Sequence, residues 1–98
     1  MADRNGYEPS IMQADLSVCY LCGRKDVKLD RHEIFGASNR RKSKRLGLWV
    51  MLCRNHHEDA HSNRAVMIAL KRAGQIVAKQ TYGWDNDQFI KEIGRNYL

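Results

Sequence analysis

All three cysteines and all four histidines of this 98-residue chain fall between Cys19 and His61. Thiolate and imidazole are preferred zinc ligands, and two close pairs separated by a longer loop can close a tetrahedron around one ion. Cys19 and Cys22 form the first pair, and Cys53 and His56 the second. His57 competes with His56 for the fourth ligand place, and the Cys-x-x-His spacing favours His56. His57 and His61, four residues apart, share one face of a helix and can share a second ion. The pattern reads as one structural metal bracing one working metal.

The elements that must position these ligands have to come from a single small domain, since 98 residues leave no room for a second core. A thin core is where a structural ion adds most to stability. An odd number of cysteines with no visible signal peptide points to metal ligation in a reducing cytosol rather than to disulfides. No apolar run approaches the roughly 18 residues of a membrane span. The net charge is +6, and the segment from Arg24 to Arg45, with nine basic and three acidic residues, holds all of the excess. Charge gathered in this way suits a polyanion, nucleic acid in particular, gripped through its phosphates.

Residues 1–10 read as a loose polar arm and 11–18 as a short turn or helix. Gly23 after the second cysteine allows the positive φ that a tight metal knuckle needs. A short strand is expected over 27–35, carrying His32 and Glu33, followed by a basic loop over 36–44. An apolar second strand covers 46–53. A helix opens at Asn55, and a second helical stripe runs from Val66 to Val77 with Asn63 as its cap, ending by Tyr82-Gly83. In the last helix Asp85 caps, Gln88 completes a capping box, Trp84 staples against Phe89, and Phe89, Ile90 and Ile93 form the apolar face.

With these motifs the chain resembles a zinc-stapled HNH (ββα-metal) nuclease domain. Its last block, Leu52-Cys53-Arg54-Asn55-His56-His57-x3-His61, follows the family pattern L-C-x-x-C-H-x-x-x-H, with His56 where cysteine is commoner. Over nearly its full length the chain is similar to small stand-alone HNH-type proteins of phages and prophages. The resemblance implies an α+β fold: a zinc-stapled ββα-metal core over 19–63, extra C-terminal helices over 64–98, and an arm over 1–18. It also implies that Cys19, Cys22, Cys53 and His56 hold a structural zinc, while His32, His57 and His61 hold the catalytic ion.

The resemblance further implies phosphodiester hydrolysis, with the ion stabilising charge on the phosphate and the leaving 3′ oxygen. The residue after the strand ligand is normally the histidine that activates water; here it is Glu33. In the alternative register His32 is the base, and Glu33 or Asp30 helps to hold the ion; the position of Ile34 favours His32 as ligand. The family's central asparagine falls on Leu48, with Asn39 as the nearest substitute. Three imidazoles suit manganese, nickel, cobalt or zinc better than magnesium. Arg40, Arg41, Lys42, Lys44 and Arg45 are expected to hold backbone phosphates, with little sequence preference. The altered Glu33 and Leu48 also support another reading, a catalytically impaired scaffold that binds DNA or a protein partner.

Overall fold

The computed structural model describes residues 2–98; Met1, the first residue of the expected arm, lies outside them. The chain forms strand β1 (Leu29–Glu33), a 3₁₀ turn (Ala37–Asn39), helix α1 (Arg40–Leu46), strand β2 (Trp49–Cys53), and helices α2 (Arg54–Ser62), α3 (Arg64–Tyr82) and α4 (Asn86–Ile93). The α+β class is as expected. Among the described residues no helix is long and apolar enough to cross a membrane.

β1 and β2 pair antiparallel, with His32 opposite Val50 and Glu33 opposite Trp49. Alternation along a strand sends successive side chains to opposite faces. Leu48, Val50 and Leu52 are fully buried in the main core. Asp30 and His32 pair with Leu52 and Val50 and therefore share the core-facing side. Arg31 and Glu33 share the other side with Met51 and Trp49. The strand thus divides His32 from the neighbouring Glu33 carboxylate.

The stretch expected as a basic loop folds instead into the 3₁₀ turn and α1. The physical reason is Ser43. Its side chain is fully buried, accepting from the Phe35 N–H at 3.0 Å and donating to the Phe35 carbonyl at 2.8 Å. That bridge ties the middle of Arg-Arg-Lys-Ser-Lys-Arg-Leu to the end of β1, and arginine, lysine and leucine are good helix formers once anchored. Ala37, at φ 51°, makes the reversal that returns the chain toward Glu33.

The N-terminal segment is not loose, and over 11–18 it makes turns rather than a helix. It lies along the open edge of β2. Gln13 Oε1 accepts from the Met51 N–H at 2.8 Å, the Tyr20 N–H reaches the Met51 carbonyl at 2.8 Å, and Ser10 Oγ donates to the Trp49 carbonyl at 2.7 Å. These bonds satisfy an edge that would otherwise invite another strand. Tyr7 is buried edge-on to Trp49, with ring centroids 5.7 Å apart. The Arg31 guanidinium lies 4.1 Å from the Tyr7 centroid and 4.4 Å from that of Trp49. Polar composition concealed this packing, because aromatic and backbone contacts provide it.

The helix signals hold more closely. Asn63 accepts from the Ala65 and Val66 N–H groups at 3.0 and 3.3 Å, and α3 runs to Tyr82. α2 begins at Arg54, one residue before the expected Asn55, with Cys53 at its N-cap. Asp85 caps α4 through the Gln88 N–H at 2.8 Å, while the Gln88 amide turns to Glu92 instead of closing the box. Phe89 and Ile93 are buried, but Ile90 is exposed. Gly74 permits a close helix–strand approach: a Cβ there would meet Ile34 Cγ2 at 2.9 Å and the Phe35 ring at 3.2 Å. That approach brings α3 down beside the end of β1.

Candidate metal centre and its surroundings

The first ligand set gathers where the ends of two elements meet. Cys19 and Cys22 lie on the knuckle before β1, where Gly23 takes φ 76° as expected, while Cys53 ends β2 and His56 lies in the first turn of α2. The four donor atoms lie within 4.8 Å of one another. The Cys22 and Cys53 sulfurs are 3.9 Å apart, and His56 Nδ1 lies 3.6 Å from the Cys19 sulfur and 3.2 Å from that of Cys53. A tetrahedral zinc about 2.3 Å from sulfur and about 2.0 Å from nitrogen separates its ligands by roughly 3.3–3.8 Å. The cluster therefore fits a metal such as zinc, and His56 rather than His57 is its nitrogen donor.

Electrostatics lead to the same fit. Burial raises the Cys19 thiol, but hydrogen bonds from the backbone at Cys53, Cys22 and Leu21 outweigh it and bring its pKa down to about 6. At Cys22 a hydrogen bond from the Arg24 backbone lowers the thiol's pKa, yet burial and the Cys19 and Cys53 sulfurs leave it raised. Three sulfurs this close cannot all carry charge without a cation among them. A divalent ion removes that repulsion and makes thiolate the favoured form.

The second set joins the core-facing side of β1 to α2. His32, His57 and His61 also offer donor atoms within 4.8 Å of one another. His57 Nε2 and His61 Nε2 are 3.3 Å apart, near the tetrahedral edge of two imidazoles about 2.0 Å from one ion. His32 faces both rings edge-on, with centroids 5.3 and 5.2 Å away. Burial, and then the neighbouring His57 and His61, lower the His32 pKa to about 4. It is neutral at pH 7, with a lone pair free to bind.

Asp30, which the sequence offered only in the alternative register as a helper at the ion, contacts His57 instead. Its Oδ2 lies 3.2 Å from His57 Nδ1 and 3.2 Å from Arg54 Nε. It does not join the donor cluster. Accepting from Nδ1–H fixes the tautomer that leaves His57 Nε2 free beside His61. Strand alternation, which puts Asp30 on the face of His32, was the available signal. Asp30→Asn is expected to weaken metal binding at the three histidines about 10–100-fold and to leave the cysteine set intact, as measured by cobalt(II) titration.

Glu33 points to the opposite face of the sheet but lies at its end, lining a hollow of about 330 Å³ with His32, His57, His61 and Arg40. Its carboxylate pairs with Arg40 Nε at 2.5 Å. Leu48 is fully buried in the core, and Asn39 donates to the Ile93 carbonyl at 2.9 Å. Asn39 therefore ties the 3₁₀ turn to α4 and does not stand in for a central asparagine.

The five basic residues singled out by sequence line one hollow of about 780 Å³ along α1. Arg40 and Ala37 lie in both this hollow and the histidine hollow, so the two adjoin. Lys42 Nζ also donates to the Glu92 carbonyl at 2.5 Å, and Arg45 approaches Glu92 at 3.9 Å. Comparisons of the chain with known protein families, with curated proteins and with solved structures return no significant match.

Proposed function

We propose that this protein is a metal-dependent endonuclease or nickase of the HNH (ββα-metal) kind, hydrolysing phosphodiester bonds of nucleic acid, DNA in particular. The observation that carries the reading is the convergence of His32, His57 and His61 on one point beside a basic hollow. A divalent ion bound there, manganese, nickel or zinc more readily than magnesium, supplies positive charge for the phosphate oxygens and the leaving 3′ oxygen. Glu33 takes the proton of the attacking water. Arg40 holds that carboxylate and turns its remaining N–H groups to the phosphate. Asp30 keeps His57 oriented, and Arg41, Lys42, Lys44 and Arg45 carry the neighbouring phosphates.

A second reading, a DNA-binding scaffold without catalysis, is favoured by the burial of Leu48 and the engagement of Asn39 with Ile93. Incubation of supercoiled plasmid with the purified protein and each metal in turn tests the choice. Nicked or linear product that disappears with chelator is expected; intact plasmid with every metal would leave only the scaffold. Both readings expect binding that weakens with salt. Replacing Arg41 and Lys44 together by glutamine should lower the slope of log affinity against log salt by about 0.9 for each duplex phosphate that the variant no longer neutralises. An unchanged slope would remove the basic hollow from the binding surface.

A further inference from the structure

The histidine cluster has a second side, which the basic residues of α1 do not reach. There a hollow of about 280 Å³ is lined by His32, Glu33, His61, Ala37, Met67 and Lys71. Lys71, on α3, is its only lysine or arginine. It meets the hollow of Arg40 and His57 along His32, Glu33 and His61, so cations flank the imidazoles from two directions.

Lys71 is placed rather than loosely solvated. Its ammonium lies 5.4 Å from the Tyr97 ring centroid, within reach of a cation–π contact. Tyr97 is itself fixed. Its N–H donates to Gln75 Oε1 at 2.8 Å, its carbonyl accepts from Arg72 Nε at 2.8 Å, and its ring lies 5.6 Å from that of Phe35. Gln75 is fully buried and holds Asn96 as well, at 2.8 Å. Among the described residues, Lys71 has no carboxylate partner. An ammonium ion held on an aromatic face, without a counter-ion, at the rim of an imidazole-lined hollow is suited to a phosphate.

We propose that Lys71 binds a nucleic-acid phosphate on the α3 side of the histidine cluster, with Tyr97 as its positioning residue. The strand then runs from the hollow of α1 past Arg40, across His32 and His61, and onto Lys71. This rests on the nucleic-acid reading above and adds a direction to it. Lys71 sits outside the seven candidate cysteine and histidine ligands, so its removal takes no donor from either cluster.

The test uses the full chain loaded with metal, a short DNA duplex, and Lys71→Gln, Lys71→Arg and Tyr97→Leu, each checked for wild-type circular dichroism. Binding across a salt series and steady-state cleavage are both recorded. Lys71→Gln is expected to weaken binding and raise KM about tenfold, with kcat changed less and the salt slope reduced by about 0.9. Lys71→Arg should restore most of the loss, and Tyr97→Leu should cost a few-fold in affinity with the slope kept. Wild-type affinity and slope in Lys71→Gln overturn the proposal, even if the protein cleaves DNA and the nuclease reading stands. If wild type binds but never cleaves and Lys71→Gln still loses affinity and slope, the proposal stands and the nuclease reading falls. Absence of binding by wild type overturns both.

Discussion

Removing the metal from Cys19, Cys22, Cys53 and His56 is expected to unfold the protein. Beyond the packing of Cys19 and Tyr20 on the core, the backbone of the knuckle that carries Cys19 and Cys22 meets β2 through the Tyr20 N–H and the Met51 carbonyl. One ion would connect that knuckle to the end of β2 and the start of α2 across more than thirty residues of chain. Structural zinc contributes an apparent ~10–16 kcal/mol to small zinc-dependent folds, whereas small domains have a net stability of about 5–15 kcal/mol. The two are of similar size, so loss of the first removes most or all of the second. Without the ion, the buried Cys19 and Cys53 lose the bonds that tie the knuckle to the end of β2. Chelator titration followed by far-ultraviolet circular dichroism should therefore show helix lost in step with zinc released. Cys53→Ser should give insoluble or unfolded protein. Full helicity after complete zinc release would refute the structural role of this cluster.

The second large effect is expected at His57. Its Nε2 lies 3.3 Å from His61 Nε2 while its Nδ1 faces Asp30, so it connects the cluster to its support. Its side chain is 26% exposed, and truncation opens no cavity in the core. His57→Ala should therefore fold and keep zinc at the cysteines. It should lose cleavage by more than the ~10–100-fold that follows loss of an outer-shell partner such as Asp30. Salt-sensitive DNA retention should persist, because the basic hollow does not include His57. Single-turnover cleavage of plasmid at fixed metal measures this. Cleavage equal to wild type would show that the three histidines are not the working site.

Both effects depend on ligand sets that could be read from the chain. Cysteine and histidine spacing is discrete: Cys-x-x-Cys, Cys-x-x-His and His-x3-His each restrict which atoms can meet, largely independent of distant packing. Caps are similarly local, which is why Asn63 and Asp85 were identifiable. What escaped the sequence reading depends on residues far apart in the chain. α1 looked like a solvated basic loop until Ser43 was seen bridging Phe35. The N-terminal segment looked loose because the β2 edge that holds it lies some forty residues away. Gly74 costs α3 helix propensity, yet its missing side chain admits Ile34 and Phe35, which the local sequence does not announce. Asp30 entered only in the alternative register, and its contact with His57 Nδ1 depends on where α2 packs against β1. The departures at Glu33 and Leu48 were visible from motif register, but their surroundings, Arg40 on one side and the hydrophobic core on the other, were not.

The most direct measurement is a titration of metal-free protein, refolded in cobalt(II), followed by optical and X-ray absorption spectroscopy. Two equivalents are expected to bind. The first should show a tetrahedral site of three sulfurs and one nitrogen, and the second only nitrogen and oxygen donors, abolished in His57→Ala while the first is retained. Binding of a single equivalent, or a second site that survives His57→Ala unchanged, would contradict the division of these seven residues into a structural centre and a working one.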